Sequence, residues 1–430
     1  MPAQSSPKLA RVLPWCDPLS AFSGFEAETQ ALLLHDGQSG RARIFARPDE
    51  VLIGSNATDY ERFGERFRAR ESGLWAGLLG YDLAGAFERL PKFMPAWPAI
   101  AMAHYPVWAE LDRASSEIRV YGTDDSLVED FVDTLGRPYG LRPQPAQRAI
   151  WKAHWKRENY LAAARRARDY VHAGDVFQVN LSQRFNVDLP AGDTPYAVFE
   201  RLCAASPAPH AAYLRLAEDD VILTNSPERF LSVKSGLVES RPIKGTRPRM
   251  ADLTQDQEMR TDLLASHKDR AENLMIVDLM RNDLSRVCQA GSVEVPRLCE
   301  VESFANVHHL VSDVTGRLRE DCDLIDLLRA SFPPGSITGA PKVRAMEIIA
   351  ELEGEARGPY CGALGWMTPD GDMDLNVMIR TASLARGETG WQAEIRSGGG
   401  IVADSDPVAE YEETLAKASA LKAALGASEC

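Results

Sequence analysis

Cysteine is scarce in this sequence, and the few cysteines lie far apart. Seven occur in 430 residues, at positions 16, 203, 288, 299, 322, 361 and 430, and no two form a C-x-x-C pair. An odd number of scattered thiols indicates neither a disulfide framework nor a zinc site. The pattern is typical of a reducing compartment, and we expect the protein in the cytoplasm.

Long apolar runs are also missing. No segment approaches the ~20 apolar residues of a membrane-spanning helix, and residues 1–20 lack the apolar core of a secretion signal. Positive charge is in deficit, since the net charge is −14 and the densest basic run is Arg165-Arg166-Ala167-Arg168. Phosphate backbones require a larger basic stripe. We therefore expect a soluble protein that binds neither membrane nor nucleic acid.

The chain does contain enough apolar residues for a large core, because 45% of it is hydrophobic. One change of composition stands out at residues 136–147, which are rich in proline and glycine and are typical of a connector. This change predicts an N-terminal region over 1–145 and a second region over 150–427.

Apolar periodicity predicts strands in runs, with helices grouped between them. In the second region strands are predicted over 176–185, 211–216, 221–225, 230–234, 237–243, 307–314, 364–367, 374–384, 390–396 and 399–403. Helices are predicted over 159–172, 253–264, 268–281, 341–353 and 407–425, the third of which begins with a Ser266/Asp269 capping box. This order favours an α+β fold with antiparallel sheet over regular βαβ units.

One lysine lies in an unusual setting. Lys244 follows Pro242-Ile243 and precedes Gly245-Thr246, whereas surface lysines commonly lie among polar residues. A lysine in a desolvated pocket has a lowered pKa, and its free amine can act as a nucleophile. The alternative from the run alone is a lysine that extends from a strand end into solvent.

Two acidic pairs share one spacing. Asp269 and Glu272 are three residues apart on one predicted helix, and Glu410 and Glu413 are three apart on another. Residues at i and i+3 project from the same helix face. Two such faces would together supply carboxylates for Mg²⁺, which water completes to six ligands. The alternative is a pair of solvated acidic faces, with Lys417 placed to pair with Glu413.

Glycine-rich backbone occurs twice, at Gly398-Gly399-Gly400 and at 335–342, which includes Thr338 and opens a predicted helix. Both segments can offer N–H groups to an anion, although neither is a nucleotide-binding motif. Arg380, in a predicted strand, is able to bind a carboxylate with two hydrogen bonds, or to form a structural ion pair.

Two further residues are candidates for proton transfer. Glu228 lies 16 residues before Lys244, and strand–turn–strand connectivity would bring the two together. The alternative for Glu228 is a solvated turn carboxylate. His309 is one of eight histidines, and its alternative is a histidine with its hydrogen bonds satisfied in the core.

Taken together, these segments resemble the chorismate-utilising enzymes, and within them most closely the aminodeoxychorismate synthases. The resemblance covers nearly the whole chain in order, through residues 79–82, 87–91, 174–185, 226–230, 241–246, 269–284, 307–312, 332–352, 374–381 and 398–417. It implies a fold of large, mainly antiparallel sheets packed as a sandwich with helices outside. It also implies that the N-terminal region is like that of anthranilate synthase component I, and that 150–427 is the catalytic region that binds chorismate.

The resemblance implies a role for each candidate residue. Mg²⁺ would be held by Glu272 and Glu413, with support from Asp269 and Glu410, and would bind the ring carboxylate of chorismate. Glu228 and His309 match the family's acid/base and leaving-group residues, and Lys244 its nucleophile. Substrate binding falls to Thr338, Tyr360, Arg380, Gly398, Gly399, Gly400, Lys417 and Gln178.

Two of these positions select the reaction in the family. Gln178 stands where the members that add water have a lysine base, and Lys244 stands where anthranilate synthases have alanine. The resemblance therefore implies para amination of chorismate to 4-amino-4-deoxychorismate, on the way to p-aminobenzoate and folate, rather than the ortho amination of anthranilate synthase component I, which remains the alternative. No glutaminase nucleophile elbow occurs in the chain, so ammonia is expected from a separate glutaminase subunit. Some relatives bind tryptophan with a serine near the position of Asp36, a departure that argues against such a site here.

Overall fold

The computed structural model describes residues 8–135, 148–304 and 307–429. Within these ranges the strands are β1 Lys8–Pro14, β2 Leu32–Asp36, β3 Arg41–Phe45, β4 Glu50–Gly54, β5 Leu74–Leu79, β6 Ile100–Tyr105, β7 Val107–Asp112, β8 Glu117–Gly122, β9 Ala149–Ala153, β10 Gln178–Asp188, β11 His210–Ala217, β12 Asp220–Ser226, β13 Arg229–Lys234, β14 Leu237–Ser240, β15 Ile243–Pro248, β16 Glu294–Ser303, β17 Val307–Arg317, β18 Gly339–Ala340, β19 Ala363–Met367, β20 Met373–Val377, β21 Thr381–Gly387, β22 Gly390–Ile401 and β23 Ala427–Glu429.

The helices lie mainly between groups of strands. They are α1 Pro18–Phe22, α2 Ala57–Arg68, α3 Asp125–Leu135, α4 Arg157–His172, α5 Pro195–Ala205, α6 Leu253–Ala265, α7 His267–Ser285, α8 Leu324–Ser331, α9 Lys342–Glu353 and α10 Pro407–Ala424. Short 3₁₀ turns form at Tyr81–Ala86 and Gly335–Ile337.

The strands form two sheets, and nearly all neighbours are antiparallel. The first sheet runs β1-β8-β7-β3-β2-β11-β12-β21-β22-β10-β9-β23, with β18 added to β10, and the second runs β15-β17-β14-β13-β20-β19-β5-β6-β4, with β16 added to β17. Both sheets contain strands from before and after the predicted connector. The connector itself, at 136–147, lies outside the described residues, so the division into 1–145 and 150–427 stays a prediction.

The sheets pack against each other, and helices cover their outer faces. Leu32, Phe45 and Leu214 of the first sheet meet Ala76 and Tyr105 of the second in one buried cluster. Separate clusters join the first sheet to α1, α3, α5 and α10, and the second to α2, α7 and α8. Burial of this apolar surface is the main stabilising term. The predicted α+β sandwich of antiparallel sheets is confirmed.

Four predicted strands are divided or joined differently in the structure. The strand predicted over 237–243 is two strands, because the chain turns at Arg241-Pro242 and proline cannot donate to a ladder. The strand predicted over 374–384 is broken between β20 and β21, where Arg380 has a left-handed φ of 52°. The strands predicted over 390–396 and 399–403 form the single strand β22, because Gly398–Gly400 pair with β10 rather than forming a loop.

In the part of the chain that the structure describes, no helix has the length and apolarity needed to cross a membrane.

Candidate active site

A cavity of about 430 Å³ lies where α7 and α10 meet the strands β15 and β22. Most of the candidate residues share its wall. They are Glu228, Lys244, Asp269, Glu272, His309, Tyr360, Arg380, Gly398, Gly400, Glu410, Glu413 and Lys417. Residues separated by up to 189 positions in sequence therefore converge on one space, as the motifs predicted.

A bulge in β15 directs Lys244 into the cavity. Lys244 pairs with Leu310 and Thr246 with His309, so that Gly245 is the extra residue between them. Gly245 has a φ of 76°, and a Cβ there would lie 2.8 Å from Cγ of Asp269. Only glycine fits this conformation and this space. The sequence Lys-Gly-Thr thus fixes the direction of the lysine side chain.

The amine of Lys244 is held in a desolvated, acidic environment. Its Nζ donates a hydrogen bond to the carbonyl oxygen of Ser336 at 3.1 Å. Burial lowers the pKa of Lys244, although the carboxylates of Glu272 and Glu228 act in the opposite direction. The alternative of a lysine extended into solvent is therefore excluded for this conformation.

The two acidic pairs face each other across the cavity, from α7 and α10. Ser266 caps α7 by accepting a hydrogen bond from the backbone N–H of Asp269 at 3.2 Å. The Asp269 carboxylate accepts one from Arg247 at 3.3 Å, so the capping box is formed from one side only. The interpretation of solvated acidic faces does not hold for Glu410, which is buried, or for Glu272, whose side chain is 15% exposed.

The carboxylates influence one another's protonation. Burial raises the pKa of Glu272, and the negative charges of Asp269 and Glu410 add to this effect. Burial and the charge of Glu413 likewise raise the pKa of Glu410. Burial would also raise the pKa of Glu413, but its ion pair with Lys417, at 2.6 Å, outweighs burial and lowers it. The predicted i,i+4 pair of Glu413 and Lys417 is confirmed.

Gly399 lies between the carboxylates of α10. A Cβ added there would lie 3.2 Å from Oε2 of Glu410 and 3.3 Å from Oε1 of Glu413. The absent side chain thus leaves a cradle lined by carboxylate oxygens. Among the described residues, no three His, Cys, Asp or Glu side chains converge closely enough to hold a metal alone. Mg²⁺ characteristically takes one or two carboxylates and completes its shell with water and substrate oxygens, so this donor set fits it.

The opposite side of the cavity offers positive and hydrogen-bonding groups. Arg380 lies at the break between β20 and β21, and burial lowers the pKa of its guanidinium. Across the described ranges it has no carboxylate partner, so the structural ion pair considered as its alternative is absent. Lys417 donates to the carbonyl oxygen of Gly398 at 3.2 Å, so the backbone groups of Gly398 face away from β10. By strand alternation those of Gly400 do so too, and Tyr360 completes this wall.

Glu228 and His309 flank Lys244. Burial raises the pKa of Glu228, although a hydrogen bond from Ser336 and the charge of Lys244 oppose the change. His309 Nδ1 lies 2.9 Å from Oγ1 of Thr246, and burial lowers the pKa of His309 to about 4. His309 is therefore neutral at pH 7. The predicted proximity of Glu228 and Lys244 is present, and the solvated alternative for Glu228 does not apply.

Three candidate residues lie behind the cavity wall. The Thr338 hydroxyl donates to the carbonyl oxygens of Pro334 and Gly335 in its own turn, so it does not face the cavity. Gln178 is fully buried against Gly400, and neither polar atom of its side chain has a hydrogen-bond partner in the described residues. Gly399 does not line the cavity itself, but the absence of a side chain there leaves room beside the carboxylates of Glu410 and Glu413.

Sequence reasoning missed several residues of this wall. Ser336 supplies contacts to both Lys244 and Glu228, and Thr246 contacts His309. Lys268, next to Asp269, lies near the acidic groups of both helices. Ser336, Thr246 and Lys268 each lie within or next to a motif recognised in the sequence. Inspection of the neighbours of each motif residue would have identified them.

A second cavity, of about 570 Å³, is lined by the predicted tryptophan-associated position Asp36. Its charged groups are largely paired, as in Arg43–Glu110 at 2.8 Å and Arg229–Asp374 at 2.9 Å. The Asp36 carboxylate accepts hydrogen bonds from the backbone N–H groups of Gln38 and Ser39. The smaller cavity, where Arg380 is unpaired, is the better candidate for chemistry.

The sequence is similar to that of several known proteins. The family model described as "chorismate binding enzyme" matches residues 27–423. The chain is 39% identical to aminodeoxychorismate synthase component 1 of Klebsiella aerogenes, over 94% of this chain and 96% of that protein. It is 38% identical to anthranilate synthase component 1 of Streptomyces coelicolor, over 82% of this chain and 73% of that protein.

The fold is similar to that of a solved structure as well. Anthranilate synthase component I from Streptococcus pneumoniae superposes with a TM-score of 0.79 and 30% identity, covering 89% of this chain and 92% of that one. Aminodeoxychorismate synthase and anthranilate synthase components are thus both among the similar proteins.

Proposed function

Because the chain belongs to the chorismate binding enzymes, as its motifs predicted, we propose that it aminates chorismate at the para position. Chorismate and ammonia give 4-amino-4-deoxychorismate and water, a step toward p-aminobenzoate and folate. Ammonia is supplied from glutamine by a separate glutaminase subunit. This chain's Cys361 is not a glutaminase nucleophile, because burial raises the pKa of its thiol to about 11.

The observation that carries this proposal is the position of Lys244. Its amine is directed into the acidic cavity by the bulge at Gly245, and burial lowers its pKa. A lowered pKa makes the amine easier to deprotonate, and its neutral form beside the substrate ring is a competent nucleophile. Ortho amination needs no such group, because ammonia adds directly at C2.

The reaction then proceeds in two balanced substitutions. The Lys244 nitrogen forms a bond to C2 of chorismate, both ring double bonds shift (C1=C2 to C1=C6 and C5=C6 to C4=C5), and the C4–oxygen bond breaks to release the hydroxyl, which takes up a proton and leaves as water. Ammonia then forms a bond to C4, both double bonds shift back, and the C2–nitrogen bond breaks to release Lys244. One proton lost from the attacking nitrogen accompanies each substitution.

Glu228 and His309 are the proton-transfer groups of this scheme. Burial raises the pKa of Glu228 and so favours its protonated form, and we assign to this carboxyl the donation of a proton to the departing 4-hydroxyl. His309, neutral because its pKa is about 4, accepts protons or donates a hydrogen bond without carrying charge. Thr246 fixes the orientation of the His309 ring.

Substrate binding uses the unpaired guanidinium of Arg380 and the open strand edge. We assign the enolpyruvyl carboxylate to Arg380, Tyr360 and the backbone N–H groups of Gly398 and Gly400. Lys417 and Thr338 support this wall, the second by shaping the turn that carries Ser336. Gln178 stands where the family members that add water have a lysine base, and its buried amide supplies no base, which disfavours water as the nucleophile.

The ring carboxylate is assigned to the acidic side through Mg²⁺. Glu272 and Glu413 would hold the ion, with Asp269 and Glu410 in support, and Gly399 leaves the space for it. When bound, Mg²⁺ supplies Lewis-acid stabilisation of the charge that develops as the hydroxyl departs. Lys268 and Lys417, which form ion pairs with these carboxylates, otherwise offset part of their charge.

One incubation separates this function from anthranilate synthesis. The protein is mixed with chorismate, Mg²⁺ and ammonium, and the products are separated by chromatography. We expect 4-amino-4-deoxychorismate, which yields p-aminobenzoate only after a lyase is added. Fluorescent anthranilate formed without a lyase would contradict the proposal. Activity with glutamine in place of ammonium is expected only when a glutaminase subunit is present.

A further inference from the structure

Lys268 links the two acidic helices. Its Nζ lies 3.9 Å from Oε1 of Glu272 on its own helix and 3.7 Å from Oε1 of Glu410 on α10. Its side chain is 53% exposed, while those of Glu272 and Glu410 are 15% and 5% exposed. An exposed ammonium therefore reaches from solvent to two largely buried carboxylates.

The contacts of Lys268 are electrostatic rather than hydrogen-bonded. Both distances exceed the range of an N–H···O hydrogen bond, so no fixed geometry holds the ammonium. Lys417, by contrast, contacts Glu413 at 2.6 Å and donates to Gly398 at 3.2 Å. Lys244 donates to Ser336 at 3.1 Å. Of these three lysines, Lys268 is the one that can leave at little cost.

We propose that Lys268 is a positioning residue that neutralises the facing carboxylates in the metal-free protein and is displaced when a divalent cation binds. The proposal rests on the metal site of the proposed function. Glu272 and Glu410 repel each other, and a cation between them keeps α7 and α10 together. A divalent cation provides the same neutralisation with more charge and repels the ammonium, which then turns toward solvent. Lys268 thus sets the affinity of the site for the ion.

This role predicts opposite changes in Mg²⁺ affinity and in the stability of the metal-free protein when Lys268 is removed, whereas removal of a simple solvated lysine would change neither. Removing the competing ammonium makes the site more negative, so the affinity for Mg²⁺ rises. The metal-free protein loses a favourable contact, so it becomes less stable. The two effects together enlarge the stabilisation that Mg²⁺ confers.

The test uses the complete chain, freed of metal with a chelator, and Mg²⁺ alone as the probe. The Mg²⁺ affinity of Lys268→Met, Lys268→Arg and the control Lys234→Met is measured by calorimetry, at low and high salt. Lys234 is an exposed lysine of β13 outside the cavity wall. Thermal unfolding is recorded with chelator and with Mg²⁺.

We expect Lys268→Met to bind Mg²⁺ about 3- to 10-fold more tightly at low salt, with a smaller gain at high salt because ions screen an exposed charge. Its melting temperature should fall in chelator and rise more on Mg²⁺ addition than that of the unaltered protein. Lys268→Arg and Lys234→Met should match the unaltered protein. Equal or weaker Mg²⁺ binding by Lys268→Met overturns this inference alone, whereas no Mg²⁺ binding by the unaltered protein overturns it together with the proposed metal site.

Discussion

Replacement of Lys244 by alanine removes the proposed nucleophile and little else. The amine makes one hydrogen bond, to the carbonyl oxygen of Ser336 at 3.1 Å, and interacts electrostatically with Glu228 and Glu272. Ser336 also contacts Glu228, so the turn is not left without partners. Because the backbone direction at this point is set by Gly245, we expect Lys244→Ala to keep the shape of the cavity.

The expected loss is large. Removal of a covalent nucleophile that divides one difficult substitution into two easier ones should slow para amination by about 10²-fold or more. A factor of that size corresponds to about 2.7 kcal/mol of transition-state stabilisation. Loss of one hydrogen bond from a charged amine would account for about 1.5–3 kcal/mol, so the size of the loss alone does not separate the two explanations and a control that keeps the charge is needed.

The assay measures 4-amino-4-deoxychorismate formed from chorismate, Mg²⁺ and ammonium, with a lyase added to convert the product. Lys244→Arg is the matched control, because it keeps the positive charge but its guanidinium is not a nucleophile. We expect both variants to be slow and to bind chorismate. Full activity of Lys244→Ala with ammonium would refute the covalent role. Full activity of Lys244→Arg would show that Lys244 contributes its positive charge and not a nucleophile.

Three further predictions concern the other walls of the cavity. His309→Gln should remove a pH dependence of stability. The pKa of His309 is about 4 in the folded protein against about 6.5 in the unfolded chain, so the protein loses about 3 kcal/mol of stability as pH falls from about 6.5 to 4. Denaturant unfolding of both proteins across that pH range measures this loss, and an equal loss in His309→Gln would refute the prediction. Arg380→Lys should raise KM for chorismate by about tenfold with a smaller change in kcat, since lysine cannot bind a carboxylate with two parallel bonds, and an unchanged KM in steady-state kinetics would contradict this. Glu272→Gln and Glu413→Gln should each abolish Mg²⁺-dependent turnover and weaken Mg²⁺ binding in calorimetry, and unchanged affinity would rule out a ligand role for the residue concerned.

The fold class followed from patterns that the sequence displays directly. Strand alternation and its grouping predicted antiparallel sheet, and most helix bounds differ from the structure by a few residues. The errors arose where tertiary contacts decide the backbone. The strand predicted over 374–384 breaks because Arg380 takes a left-handed conformation at the cavity, and periodicity carries no information about that. Gly398–Gly400 continue a strand that glycine normally weakens, because β10 supplies the pairing.

The sequence predicted which residues line the candidate site better than it predicted how they are arranged. The i,i+3 spacing of Asp269 and Glu272 indicated a shared helix face, but only the packing of α7 opposite α10 brings their carboxylates toward Glu410. The run Lys244-Gly245-Thr246 indicated an unusual lysine, but the bulge that aims it depends on the register with β17.

Side-chain rotation and long-range contacts account for the remaining differences. Thr338 turns its hydroxyl into its own turn, which no spacing rule foretells. Lys268 acquires its second carboxylate from a helix more than 100 residues later.

The central claim is that the Lys244 amine attacks the chorismate ring, and a covalent adduct tests it most directly. The protein is incubated with chorismate and Mg²⁺ in the absence of ammonia, and the reaction is then quenched with acid to trap the complex. The protein is digested, and the peptides are analysed by mass spectrometry. The account predicts one modified peptide, with the mass of chorismate less one water carried on Lys244 and absent from Lys244→Ala. An unmodified Lys244 peptide, from a preparation that forms 4-amino-4-deoxychorismate once ammonium is added, would contradict it.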